Sequence, residues 1–228
     1  MRQISIEELE NEIGYSFKDK LLLKQALTHS SFANEQKINK YGDYERLEFL
    51  GDAVLELVTS EFLFHENQTM SEGELTKLRA SMVCESALSY CARVFGLEEY
   101  IQLGRGEEMT GGRNKDSIIS DVMEAIIGAV YLDGGMDNAA RFINKYIFAD
   151  LEKKQLFYDA KTTLQEYVQR DNKALLHYEL ISEEGPDHDK KFLVEVKIDE
   201  TIIGTGSGRT KKSAEQRAAY EALKRLKK

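Results

Sequence analysis

Glu45, Glu48, Asp52 and Glu56 recur at intervals of three and four residues. At about 100° per residue they would share one narrow arc of a helix, with Leu47, Leu50, Val54, Leu57 and Val58 on the opposite arc. The solvated face of an amphipathic helix has the same pattern. Two features argue for more. Like charges at i,i+3 and i,i+4 destabilise a helix, and no Lys or Arg on the stripe relieves them, whereas a divalent cation would. Phe49 projects on the carboxylate side, where a large aromatic calls for another helix or a partner subunit to cover it. A second stretch, Ser117 to Leu132, is apolar nearly all round and should be buried. Its interior charges are Asp121 and Glu124, one turn apart, and no basic residue in the segment can pair with them. Glu48, Asp52, Asp121 and Glu124 therefore offer four oxygen ligands with no Cys or His cluster nearby, a set suited to a hard ion such as Mg²⁺. Such ions serve phosphoryl chemistry by lowering the pKa of water and screening phosphate charge.

The elements that must position these groups are helices. Ser5 with Glu8 reads as a capping box opening a helix that stops at Gly14. Helices are expected over Lys18 to His29, Tyr44 to Phe64, Ser71 to Met82, Cys84 to Phe95 and Asp116 to Leu132. Gly104 to Asn114 should be a loop, and Asp133-Gly134-Gly135 should break the chain before a further helix running to about Asp150. The period then changes. Lys161 to Arg170 reads as helix, and Lys191 to Ile198 alternates strictly, with Phe192, Val194, Val196 and Ile198 on one face. His177 to Glu183 and Thr201 to Ser207 supply two more strands, with a turn at Gly185-Pro186-Asp187. Lys211 to Lys227 is a helix with Ala214, Ala218, Ala222, Leu223 and Leu226 on one face. The fold class is thus two domains, an all-α one over 1–150 and an α-β-β-β-α one over 160–228, joined by a linker at 151–159.

Composition and charge support this division and exclude several classes. The 228 residues are 42% hydrophobic and 31% charged, too apolar for a disordered chain and long enough for two cores. No apolar run approaches the roughly 20 residues that span a bilayer, and the N-terminus turns acidic before any signal-peptide core, so a cytoplasmic protein without a membrane role is expected. Cys84 and Cys91, seven apart, read as free thiols. Residues 1–157 hold 17 basic and 27 acidic residues, against 14 and 13 in 158–228. Eight basic residues in 209–228, against Glu215 and Glu221, suggest a polyanion-binding face, although the last of them can equally be a solvated helix end. Lys211 and Lys212 sit where a helix dipole favours an anion. Gly204-Thr205-Gly206-Ser207-Gly208 before them is no phosphate loop, because no Gly precedes Lys212-Ser213 at the required position. His29 reads as a core or capping histidine. Arg105, Arg113 and Lys115 read equally as phosphate contacts or as exposed loop charge.

The run Glu45-Arg46-Leu47-Glu48-Phe49-Leu50-Gly51-Asp52-Ala53-Val54 resembles the signature of the ribonuclease III family. Thr28-His29-Ser30-Ser31 upstream and Asp121-Val122-Met123-Glu124-Ala125-Ile126-Ile127-Gly128 downstream resemble it too, and the second half is similar to a double-stranded-RNA-binding domain. The resemblance implies a Mg²⁺-dependent endonuclease, with Mn²⁺ as a substitute and no organic cofactor. It would cut double-stranded RNA to 5′-phosphate and 3′-hydroxyl ends with a short 3′ overhang, in ribosomal-RNA precursor and messenger-RNA processing. It implies metal positions at Glu48, Asp52, Asp121 and Glu124, with Asp52 orienting the attacking water and Glu124 closest to the chemistry. Glu45 and Glu72 match further acidic positions for RNA or subunit contacts. It also implies a homodimer in which Phe49 enters the partner subunit and each subunit cuts one strand. In the second half Thr162, Gln165, Glu166, His188, Lys211 and Lys212 match RNA-contacting positions, and Ala160 stands where the pattern usually has Pro. The alternatives are a non-catalytic double-stranded-RNA-binding regulator and a nuclease for DNA or hybrids.

Overall fold

The computed structural model describes residues 5–37, 42–149, 160–171, 175–185, 190–208 and 210–226. The chain divides into two compact units, one ending at Ala149 and the other beginning at Asp150. The expected linker, 151–159, lies outside the described residues. No described helix is long and apolar enough to cross a membrane.

The first unit begins with α1 (Ile6–Ile13), α2 (Lys20–Ala26) and α3 (Ser30–Glu35). The Ser5 hydroxyl caps α1 by accepting from the Glu7 amide rather than sharing a reciprocal box with Glu8, and Gly14 closes the helix at φ 76°. The helix expected over 18–29 is shorter at both ends. Asp19 caps α2 through the Leu21 amide, and beyond Ala26 the chain leaves the helix so that Thr28 can bridge Gln102. α3 was not foreseen; His29 caps it, with Nδ1 accepting from the Ser31 amide, in keeping with a capping histidine.

The long α4 (Glu45–Glu66) follows, then α5 (Glu72–Met82), where Ser71 and Glu74 form a true capping box, and α6 (Glu85–Arg93). Both cysteines are free. The glycine-rich segment 104–114 is not simply a loop. It holds α7 (Arg105–Met109) and a 3-10 turn at Gly112–Asn114, pinned by Arg113 to Glu108 at 2.6 Å and by Lys115 to Glu107 at 2.6 Å. These pairs supply the order that glycine alone would not, and they give Arg113 and Lys115 a structural task.

α8 (Asp116–Gly134) is the centre of the unit. Ile119, Val122, Met123, Ala125, Ile126, Ile127, Ala129 and Val130 are all fully buried, which is why the segment is apolar nearly all round. Asp133 and Gly134 remain helical instead of breaking the chain. The Asp133 carboxylate accepts from the Tyr15 hydroxyl at 2.6 Å and from the Lys18 and Asp19 amides at 2.9 Å, and the break falls at Gly135, φ 79°. α9 (Met136–Ile143) then runs into a π turn over Asn144–Phe148, short of the expected Asp150. α4 departs from its expected faces. Leu47, Val54, Leu55 and Val58 are buried, but Leu57 is 57% exposed, and so are Phe49 at 80% and Phe64 at 69%. Among the described residues no element covers Phe49.

The second unit contains α10 (Ala160–Asp171), β1 (Leu176–Glu184), β2 (Lys191–Ile198), β3 (Thr201–Gly208) and α11 (Lys211–Leu226). The strands form one antiparallel sheet in the order β1-β2-β3. Leu164 and Val168 of α10, Phe192, Val194 and Val196 of β2, and Ala214, Ala218, Ala222 and Leu223 of α11 build the core. The glycine run is the inner face of β3. A Cβ on Gly204 or Gly206 would lie 2.3 Å from the Ala218 carbonyl oxygen or 2.2 Å from the Ala218 amide nitrogen, so the strand and the alanine face of α11 meet backbone to backbone. Part of the turn expected at 185–187 lies outside the described residues.

Candidate functional site

The acidic centre is set by a close crossing of α4 and α8, the most extensive helix pairing of the first unit. A Cβ on Gly51 would stand 1.8 Å from the Glu124 carbonyl oxygen, and one on Gly128 would stand 2.2 Å from that of Leu47. The two glycines therefore let the backbones touch. Glu48 precedes Gly51 by one turn and Glu124 precedes Gly128 by one turn, so the crossing brings their carboxylates together.

One oxygen each from Glu48, Asp121 and Glu124 lies within 4.8 Å of the others, and all three residues are half-buried. Two ligands opposite each other across Mg²⁺ are about 4.2 Å apart at its usual bond length, so these three are spaced to share one ion after slight closure. Their chemistry fits as well, being all hard oxygen donors. Among the described residues neither the Glu48 nor the Glu124 carboxylate has a cationic partner. Burial first, then the charges of Asp52, Glu48 and Asp121, pushes the Glu124 carboxyl up to about 8. Burial, then Asp121, Glu45 and Asp52, pushes Glu48 up to about 7. Asp121 is also raised, chiefly by burial, against the lowering effect of a hydrogen bond from Tyr44. At neutral pH without a cation the three cannot all ionise freely.

The remaining predicted acidic residues are not among these three. Asp52 is exposed and outside the converging three, although its charge bears on Glu48 and Glu124. Glu45 is exposed at the start of α4. Glu56 is relieved by Arg79 of α5, whose Nε stands 3.0 Å from its carboxylate, a partner that spacing along α4 alone did not reveal. Glu72 is exposed on α5 and accepts from the Thr76 hydroxyl at 2.9 Å, outside the group. Sequence reasoning missed Tyr44, whose hydroxyl donates to Asp121 Oδ2 at 3.3 Å. It also gave no role to Gly51 and Gly128; a glycine in the interior of each of two long helices was the available signal.

In the second unit Thr162, Gln165 and Glu166 are exposed on α10 at helical spacing. Lys211 and Lys212 are exposed in the first turn of α11, where the Ser213 amide donates to the Thr210 hydroxyl at 3.1 Å. Two lysines flank a helix start whose dipole favours an anion. Lys161 pairs with Glu215 at 2.6 Å and ties α10 to α11. His188 lies outside the described residues.

Two family profiles match the chain, one described as Ribonuclease-III-like over residues 19–151 and one as Double-stranded RNA binding motif over residues 160–226. The Ribonuclease 3 of Oceanobacillus iheyensis is 48% identical over 222 residues, covering 96% of this chain and 97% of that protein. That of Caldanaerobacter subterraneus subsp. tengcongensis is 49% identical over 221 residues, with 96% of each covered. Among solved structures, the nuclease domain of ribonuclease III from Campylobacter jejuni matches with a TM-score of 0.58 at 46% identity, over 64% of this chain and 95% of that one. A further structure of that domain, TM-score 0.57 at 46% identity over 62% of this chain and 98% of that one, is described by structural flexibility in the region involved in its dimer formation.

Proposed function

The chain belongs to the ribonuclease III family, and from that premise we propose that it cuts double-stranded RNA with the aid of Mg²⁺, which Mn²⁺ can replace. The products carry 5′-phosphate and 3′-hydroxyl ends with a short 3′ overhang. The observation that carries this reading is the convergence of Glu48, Asp121 and Glu124 at a glycine crossing where, among the described residues, neither glutamate has a cationic partner. These three hold the metal ion, and Asp52 at the wet edge of the group completes the site and orients the attacking water. A bound divalent cation supplies phosphate charge screening and a lowered pKa for water at that point. Glu124, the most strongly perturbed of the set, stands closest to the reacting phosphate.

The protein works as a homodimer with one strand cut per subunit. Support comes from the exposed aromatic and aliphatic side chains of α4, with Phe49 uncovered beside the acidic face. Glu45 and Glu72 serve RNA or subunit contacts. The domains run 1–150 and 160–228 with 151–159 between them, and the second recognises A-form shape over ~16 base pairs through Thr162, Gln165, Glu166, His188, Lys211 and Lys212. The substrates are ribosomal-RNA precursors and messenger RNA in the cytoplasm, and no organic cofactor takes part.

The deciding experiment incubates the protein with a long RNA duplex in Mg²⁺ or in chelator. Cutting only with metal, to 5′-phosphate ends, is expected. Tight binding without cutting in both conditions would leave a duplex-RNA-binding regulator instead. For the basic helix start, exchanging Lys211 and Lys212 together for Ala should weaken duplex binding about tenfold and flatten the log–log salt slope by roughly one per lysine. An unchanged slope, measured in chelator by filter binding, would remove both from the phosphate contacts.

A further inference from the structure

We infer that Tyr44 is a positioning residue for the acidic centre, its hydroxyl turning the Asp121 carboxylate toward Glu48 and Glu124 so that the three can share one cation. The inference rests on the metal reading above and deepens it.

Tyr44 is fixed before its hydroxyl is considered. Its amide donates to the Thr28 carbonyl at 2.9 Å, and its own carbonyl accepts from the Leu47 and Glu48 amides at 2.8 and 2.9 Å. It is therefore the residue on which α4 starts and the backbone anchor of the turn that carries Glu48. The residue is 5% exposed, and its ring lies against the His29 ring, centroids 5.7 Å apart. His29 is held in turn, its amide donating to the Gln102 carbonyl at 3.1 Å and its Nδ1 accepting from the Ser31 amide at 3.1 Å. The Ser31 hydroxyl accepts from the Gly104 amide at 2.9 Å. The Thr28-His29-Ser30-Ser31 segment thus clamps Tyr44 from two sides and ties that clamp to residues 102–104.

The clamped ring ends in a hydroxyl whose side-chain partner is Asp121 Oδ2 at 3.3 Å. One residue consequently registers both halves of the centre, α4 through its backbone and Asp121 of α8 through its side chain. An aspartate in a half-buried site has several rotamers, and only some point its oxygen at the other two ligands. Outer partners that fix a ligand's orientation change metal affinity by 10–100-fold. Because 3.3 Å is long for a hydroxyl–carboxylate bond, the expected effect is at the low end, about tenfold.

The test is Tyr44→Phe, which keeps the ring and its packing on His29 and removes only the donor. Mn²⁺ binding to the RNA-free protein is measured from the loss of the free-ion electron paramagnetic resonance signal. The variant should bind Mn²⁺ about tenfold more weakly and need correspondingly more Mg²⁺ for half-maximal cutting. It should melt within a few degrees of wild type in chelator and recover wild-type kcat at saturating Mg²⁺. Asp121→Asn should weaken Mn²⁺ binding by itself, and Tyr44→Phe should add no further loss in that background. Unchanged Mn²⁺ affinity in Tyr44→Phe, or losses that simply add, would overturn the positioning role. Glu124→Gln separates the two levels: if it binds Mn²⁺ as wild type does, the metal reading falls and this inference with it, whereas its loss of Mn²⁺ with Tyr44→Phe unaffected overturns the inference alone.

Discussion

Exchanging Glu124 for Gln should stop RNA cutting, leave duplex binding intact and make the metal-free protein harder to melt at pH 8. The loss of cutting should be on the order of 10³-fold or more, about 4 kcal/mol of transition-state stabilisation, because on the proposed reading the amide removes a charge that would hold the cation. The gain in stability follows from the same burial. In the folded protein the Glu124 carboxyl keeps its proton up to about 8, against an ordinary value of 4.5. Between those values the folded state binds more protons than the unfolded one, so stability falls as pH rises through that window and is flat above it. Since the group is only half-buried, solvent screening reduces the effect to about 1–2 kcal/mol at pH 8, or roughly 3–6 °C in melting temperature. Glutamine carries no such penalty. The difference between variant and wild type in chelator should shrink toward pH 5, and saturating Mg²⁺ should reverse the order, since only the wild type gains from binding it. A variant that melts at or below wild type at pH 8 in chelator would show that the Glu124 charge is not held at a cost.

Gly51→Ala should be among the most damaging small substitutions in the chain. The added methyl group meets the Glu124 carbonyl oxygen at 1.8 Å and its carbon at 2.6 Å, and both are backbone atoms that cannot rotate away. The helices must separate by more than an ångström along a fully packed α8, at a cost of about 3 kcal/mol or more. Whatever remains folded should also bind divalent cations weakly, because the displaced peptide carries Glu124, one of the three proposed ligands. Gly73→Ala is the matched control. It lies in α5 with nothing within 4 Å of the new Cβ, so helix propensity should make it neutral to stabilising by up to about 1 kcal/mol. Urea midpoints of the two variants decide the matter; a Gly51→Ala protein with the wild-type midpoint would mean that the crossing is loose.

The contrast between those glycines marks what the residue order could and could not convey. Periodicity found α8 and β2 because their burial is regular: Phe192, Val194 and Val196 alternate inward, and α8 is apolar on nearly all sides, whereas β1 buries no alternating face. It also brought Glu48, Asp121 and Glu124 under suspicion, since charges without nearby counter-charges are visible in one dimension. Pairings across elements were not. Arg79 relieves Glu56 from 23 positions away, and Tyr44 reaches Asp121 across 77. Helix ends set by tertiary bonds were equally hidden. Asp133 is kept helical by three donors from residues 15–19, and Arg113 and Lys115 order a segment whose glycines argued for a loop. Leu57 shows the reverse error, because an apolar residue on the inner arc was expected to be buried and is exposed.

The inner face of β3 determines how the second unit tolerates genetic drift. Every single-base change in a glycine codon that alters the residue adds a Cβ, and at Gly204 and Gly206 a Cβ runs into the backbone of α11. Neither position has a harmless amino-acid replacement one base away. The intervening Thr205 is exposed and free to vary. Tolerance along this strand must therefore alternate residue by residue, with its smallest side chains the least replaceable.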